Sequence, residues 1–577
     1  MVRRLTSQST LENLKREAKR WLHALRDSNP DVQREARARF DRGTPNAPLQ
    51  PSLRHVQHAL AREHGFDGWA ALKTELAANA PRAAEHADRV ASFIENACPD
   101  HNVRGAPAHI RAHHTARRLL DRYPELAHDS FYTAIVCGDL ERVERTLAER
   151  PEAATEAGAP KGWEPLLYLC FSRAPLAAAS DNALAIARAL LDRGANPNAY
   201  FQAGGSKYTP FVGVVGEGEE NRPAHAHRDA LARLLLERGA KLYDNQVVYN
   251  MGFHGRVLWF LELNYEFSLK RGQQSDWADP DWSMLNMGGY GTGARWMLTL
   301  AIRHNDLTLA RWVLEHGASP NAGPARHKLL SRHSLYEEAV RAGLTEMAEL
   351  FVKYGATPAI SSLTPVEQFT AACLRLDKDK ARAMVGSHPE LLRAPEPMLL
   401  AADRDHVDVV RFLLDIGVSP DVENEQRERG LHLAAYANSL RVARLLLDRG
   451  AEVDPVESNW SNTPLGAAVY SQHPEMIELL GRVSRDVWQL VYVGNIERLR
   501  QVFNTSPDLA KVASEGHTPL MWLPPDDESR ALEIATLLIA NGADPTLKTN
   551  DGQTAADRAR RLGMFSLAEL LSRYATR

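Results

Sequence analysis

Three stretches hold residue types that do chemistry in other proteins. "MLNMGGYGTGARW" at 284–296 sets four glycines within six positions ahead of an apolar segment, as a phosphate-cradling loop would. A P-loop needs Gly-x-x-x-x-Gly-Lys-Ser/Thr after a strand, and a dinucleotide site needs Gly-x-Gly-x-x-Gly between strand and helix. The run has neither spacing and follows no β-branched strand, so it reads as the turn before a helix over "ARWMLTLAIRHND". In "HIRAHH", His109 and His113 stand four apart with His114 and Cys98 nearby, a spacing that places two imidazoles on one helical face as zinc ligands. The glutamate that metalloprotease chemistry needs beside the first histidine is missing, and surface or packing histidines are expected. "DWADPDW" gathers Asp276, Asp279 and Asp281 without the ligand order or central glycine of a calcium loop, so these read as solvent-facing carboxylates. There is no Gly-x-Ser-x-Gly elbow and no cysteine with a motif-placed histidine. No catalytic residue, metal site or cofactor is nominated, and an enzyme is not expected.

The whole chain narrows the classes further. At 577 residues it exceeds what one core organises, which calls for several domains or a quasi-one-dimensional array. Charged residues are 25% with a net charge of -4, a balance that favours neither a nucleic-acid coat nor an acidic tail. The start, "MVRRLTSQSTLENLKREAKRW", lacks the apolar stretch of a signal peptide, and no later run has the length of a membrane span. A cytoplasmic protein with no membrane contact is expected. Cys98, Cys137, Cys170 and Cys373 form no Cys-x-x-Cys pair, so reduced core residues are expected and not a disulfide framework or zinc ribbon.

The elements that position everything else come from a repeat. "LLDRGANPN", "LLERGAKLY", "VLEHGASPN", "FVKYGATPA", "LLDIGVSPD", "LLDRGAEVD" and "LIANGADPT" share one signature, with turn glycines Gly194, Gly239, Gly317, Gly355, Gly417, Gly450 and Gly542. Gly417 and Gly450 are 33 residues apart. Apolar residues close a helix, and glycine follows where the chain needs the left-handed conformation. Thr-Pro opens the next helix at Thr209-Pro210, Thr463-Pro464 and Thr518-Pro519, threonine capping the amides and proline fitting the first turn. Each unit therefore reads as a turn and two antiparallel helices.

With this period and with "GLHLAAYANSLRVARLLLDRGAEVD" at 430–454, the chain resembles the ankyrin-repeat family over roughly 128–575. The resemblance implies an all-α solenoid. Units are expected near 128–156, 162–199, 206–243, 244–292, 293–323, 333–360, 364–394, 395–425, 426–457, 458–484, 485–514, 515–549 and 550–575. Two of them use a Pro-Glu or Pro-Asp ending, a variant of bacterial-type arrays that this chain resembles. Thirteen units side by side make an arc on the order of 100 Å long, closed by a polar cap at 550–577.

Ahead of the array, residues 1–80 read as a small helical leader domain of three helices, and 81–127 as a helical linker and N-terminal cap. Leu11, Leu14, Ala18, Trp21, Leu22 and Leu25 make one stripe, opened by Ser9 and Glu12 as a capping box. Leu53, Val56 and Leu60 make a second, and "WAALKTEL" a third helix. Residues 1–42 hold eleven Lys or Arg against six Asp or Glu, enough to meet phosphates or an acidic protein, although no recognition helix is present and a solvated capping face is expected.

The array departs from its rule at 199–296. After "GRVLWFLELNYEFSL" some twenty-five residues precede the next unit, in the position of a finger on the concave side. Trp259, Trp277, Trp282 and Trp296 fall in this span. Such rings either pack back on the solenoid or stand exposed as anchors. The leading expectation is a non-enzymatic scaffold that binds a protein partner through its concave face, with Trp277, Asp279, Asp281, Trp282, Tyr290, Tyr208 and Tyr243 as binding residues. The second is a small-molecule, glycan or catalytic site at the aromatic finger, 271–293, and the third is nucleic-acid contact by the basic leader.

Overall fold

The computed structural model describes residues 11–27, 29–43, 48–78, 86–103, 105–218, 221–253, 256–324, 332–361, 363–514 and 516–575. Ser9 of the expected capping box lies outside them, as do the side chains of Leu11 and Glu12. The protein is an all-α solenoid behind a helical leader. The leader has four helices, α1 (Leu11–Ala24), α2 (Pro30–Gly43), α3 (Leu53–Glu63) and α4 (Trp69–Ala78). They enclose Leu14, Ala18, Trp21, Phe40, Val56, Leu60 and Leu72. Helix α2 goes beyond the sequence reading. It offers the core only Ala36 and Phe40 among charged residues, and it is held by the Trp21 indole donating to the Ala36 carbonyl at 3.0 Å.

Two further helices, α5 (His86–Ala97) and α6 (Ala106–Arg122), lead into the array. Among the described residues, eleven of the thirteen expected ranges then hold a pair of α-helices, and 162–199 adds a short third, Ala177–Asp181, to its pair. The twelfth range, 515–549, differs. Thr518-Pro519 opens only the 3-10 turn Pro519–Met521, because Pro524 and Pro525 follow at once and cannot continue a helix. Elsewhere the capping holds: the Thr209 and Thr463 hydroxyls accept from the Val212 and Gly466 amides at 3.3 and 3.1 Å. All seven turn glycines stand at φ between +81° and +101°.

The turn glycines also set up the joint between neighbouring units. The residue four positions past the glycine reaches the next unit's turn. Asn198 donates to the Gly239 carbonyl and accepts from the Lys241 amide, at 3.0 and 2.8 Å. Asn321 does the same to Gly355 and Thr357. Asp421 accepts from the Glu452 amide at 2.9 Å, and Asp454 from the Arg485 amide at 2.7 Å. After Gly239 this place is taken by Tyr243, at φ +59°, whose amide donates to the buried Asn264 side chain at 2.9 Å. The latch is thus replaced within the irregular region, and again after Gly355, where the fourth residue is Ala359.

The array does not lie open as an arc. Helix α6 returns to the units at 458–575. The Arg118 guanidinium donates to the Leu562 carbonyl at 3.1 Å and also to that of Pro525. Arg122 sits 4.9 Å over the Phe565 ring, and the Tyr492 hydroxyl donates to the Pro107 carbonyl at 3.3 Å. Asn221, in the inter-helix connection of the third unit, donates to the Tyr470 carbonyl of the tenth at 3.4 Å. The contacts that close the array are made by α6 and by turns between paired helices. The C-terminal cap, expected at a bare end, meets α6 through Leu562 and Phe565.

Candidate binding surface

The irregular region is built around an aromatic cluster. Helix Leu258–Lys270 presents Tyr265 and Ser268, and the chain then runs through the 3-10 turns Gln274–Ala278, Ser283–Leu285 and Gly288–Tyr290. Trp277 and Trp282 are buried, at 3% and 0% exposure. Their rings meet edge to face at 4.9 Å, and both meet Trp312 of the next unit, at 5.7 and 6.2 Å. The Trp277 indole donates to the Ser268 hydroxyl at 2.8 Å. Tyr243 joins them at 5.9 Å, and burial with the nearby Asp276 carboxylate pushes its phenol up to about 12.

Of the two roles open to these tryptophans, the structure shows packing on the solenoid. Gly317 explains how close the finger lies: a Cβ there would sit 2.3 Å from the Trp277 carbonyl oxygen. The Ser319 amide donates to the Pro280 carbonyl at 2.7 Å, and that of Ala294 to Asp281 at 3.1 Å. Asp279 folds its own loop, accepting from the Asp281 and Ser283 amides at 3.1 and 2.8 Å; the Ser283 hydroxyl together with these amides holds its carboxyl below the usual range. Asp281 is exposed.

The other nominated residues lie apart. Tyr290 is half-buried, packing on Trp296 and Tyr249 at 5.2 and 5.9 Å. Tyr208 is buried on the hairpin of β1 (Phe201–Ala203) and β2 (Ser206–Tyr208), stacked on Phe201, which stacks on Trp163. The glycine run forms the last 3-10 turn and the cap of helix Gly293–Arg303, where Thr292 accepts from the Arg295 amide at 3.3 Å. His109 is buried within α6, while His113 and His114 meet each other at 5.4 Å. Among the described residues no three His, Cys, Asp or Glu side chains converge to hold a metal. Open clefts of about 420 Å³ lie elsewhere, among them one between α6 and the last units and one at 224–230.

A different finger, at 451–463, presents its tryptophan outward. Glu457 is buried at 1% exposure, and its carboxylate accepts from the amides of Asn459, Trp460 and Asn462 at 2.6, 3.0 and 2.9 Å. Beneath it, His432 is buried. Its Nδ1 accepts from the Arg429 amide at 3.2 Å, which leaves Nε2–H to donate to the Pro455 and Asn462 carbonyls at 3.0 and 3.2 Å; burial lowers its pKa. Ser458 ties the finger to its neighbour through the Gln426 carbonyl at 2.8 Å. On this fixed backbone Trp460 is 78% exposed, with Val456 on the same finger and Val483 on the adjacent turn also open. Asp454 pins that turn, accepting from the Ser484 hydroxyl at 2.6 Å. Other fingers carry exposed Tyr200, Ile360 and Leu547. The sequence reading passed over Trp460. The available signal was one large aromatic amid turn formers, in "ESNWSN", three residues after an acid.

The basic residues of the leader are partly engaged within it. Arg39 lies 4.0 Å over Trp21 and pairs with Glu17 and Glu63, and Arg37 pairs with Asp41. No helix of the described residues is long and apolar enough to cross a membrane.

Residues 398–489 match the family model for ankyrin repeats, in three copies. Human "Ankyrin repeat and SOCS box protein 16" is 27% identical over 44% of this chain and 55% of its own length. "Ankyrin repeat and KH domain-containing protein mask-1" of Caenorhabditis elegans is 27% identical over 30% of this chain and 6% of its own. "Potassium channel GORK" of Arabidopsis thaliana is 27% identical over 25% and 19%. The chain thus spans about half the length of the first of these relatives and less than a fifth of the other two.

Proposed function

We propose that this chain, a solenoid that carries ankyrin repeats, is a non-enzymatic scaffold that binds a protein partner along its finger edge. The observation that carries the reading is Trp460, 78% exposed on a finger whose backbone Glu457 fixes. The turns between paired helices, together with α6, make the bonds that close the array. The fingers bond to their neighbours and turn apolar side chains to solvent, Trp460 foremost. Ankyrin repeats serve protein interaction generally, and rigid fingers lose little ordering entropy on binding. The concave face named by the sequence reading is narrowed here to its fingers. The four cysteines are buried and unpaired, which supports work in the reducing cytoplasm.

A photo-crosslinking residue placed at Asn459, and at the solvent-facing Asp379 of helix Lys378–Ser387 as control, tests this in the cell that makes the protein. Partner adducts are expected from Asn459 and not from Asp379. Adducts from neither, or equal adducts from both, would overturn the reading.

A further inference from the structure

We infer that the paired fingers 421–429 and 451–462 capture a basic protein segment, with Trp460 as the platform for one of its lysine or arginine side chains. The inference rests on the scaffold reading above and adds the chemistry of the partner.

Charge is the first support. The two fingers hold seven carboxylates, Asp421, Glu423, Glu425, Glu428, Glu452, Asp454 and Glu457, against Arg427 and Arg429. Without the buried Glu457, six carboxylates against two arginines still match the net charge of -4 on the whole chain. Arg429 is already shared among Asp421, Glu423 and Glu452. Glu457 is buried, so the outward charge comes from the other six, with Glu423, Glu425 and Glu452 exposed, and it repels nucleic acid as it attracts cations.

The second support is the ring. A tryptophan face attracts an ammonium or guanidinium group, and more strongly where water is displaced. Long basic side chains have an apolar stem as well as a charged head. Val456 and the Trp460 ring fit the stem, and the exposed Glu425 on the neighbouring finger, beside the Gln426 that Ser458 bonds, fits the head. The platform is also rigid. Glu457 fixes the amide of Trp460 itself, and Ser458 fixes the spacing between the two fingers. Binding then requires ordering of one side chain and little backbone, the arrangement in which aromatic anchors contribute most.

Fluorescence anisotropy on the full chain, with a labelled Arg-Gly repeat peptide, tests the inference. A Glu-Gly peptide and a single-stranded DNA of similar length serve as the alternative probes. The Arg-Gly peptide is expected to bind with an affinity that falls as salt rises, and Trp460→Ala is expected to weaken it at least about tenfold, or 1.4 kcal/mol. Glu425→Lys should weaken it further. Since Trp460 is exposed, the variant's unchanged melting curve serves as the folding control. Unaltered affinity in Trp460→Ala, or Trp460-dependent binding of the Glu-Gly peptide or DNA, would overturn the inference. If the Arg-Gly peptide does not bind while Asn459 still crosslinks a protein, the basic-partner chemistry fails and the scaffold reading stands. If neither occurs, both fail.

Discussion

Residues 271–293 and 451–463 are both finger connections with tryptophan, and they use it in opposite ways. In the first, the rings of Trp277 and Trp282 are what hold the loop: they pack on each other and on Trp312, and the backbone follows. In the second, the backbone is held by the Glu457 carboxylate and by Ser458, so the Trp460 ring has no structural task and stands in water. The contrast shows that an aromatic residue in a loop is a staple where nothing else orders the chain. It is available as an anchor where buried polar groups have already done so.

Mutations can break this contrast, beginning with the largest effect. Trp282→Ala removes a fully buried ring and should destabilise the adjoining units by about 3–5 kcal/mol, read as a lower urea midpoint with peptide binding at 451–463 retained. Gly317→Ala comes next. Gly450→Ala, at φ +81° with open space around it, isolates the left-handed strain at about 1–2 kcal/mol. Gly317→Ala should cost more than that, because its Cβ also meets the Trp277 carbonyl at 2.3 Å; equal losses would mean the aromatic finger does not sit against this turn. Glu457→Ala should cost on the order of 2 kcal/mol through lost charged hydrogen bonds, with faster hydrogen exchange at Asn459, Trp460 and Asn462. Trp460→Ala should change stability by less than about 0.5 kcal/mol, while partner binding falls. A large stability loss there would make both tryptophan fingers staples.

Much of the scaffold was legible because its causes are local. The glycine that closes a helix and the threonine that caps the next one act within a few residues, so the period and the turn positions follow from spacing alone. Helix α2 escaped because Ala36 and Phe40 make too thin an apolar stripe among its charges. The helix expected at Thr518-Pro519 ignored Pro524 and Pro525. The closure of the array escaped for a different reason: Arg118 and Leu562 are 444 residues apart, and no periodicity relates them. At the candidate surface, tryptophan count drew attention to 271–293, but whether a ring is buried depends on its partners in space. Trp312, on the next unit, and Glu457, hidden beneath its own loop, decide the two cases, and neither is marked by its sequence neighbours.

Oxidation of the native full chain by limiting N-bromosuccinimide, with the modified tryptophans located by peptide mass spectrometry, compares both fingers in one sample. Trp460 should be oxidised among the first, while Trp277 and Trp282 stay protected until urea unfolds the array. Oxidation of Trp277 or Trp282 at the rate of Trp460 in the folded protein would contradict the division between staple and anchor.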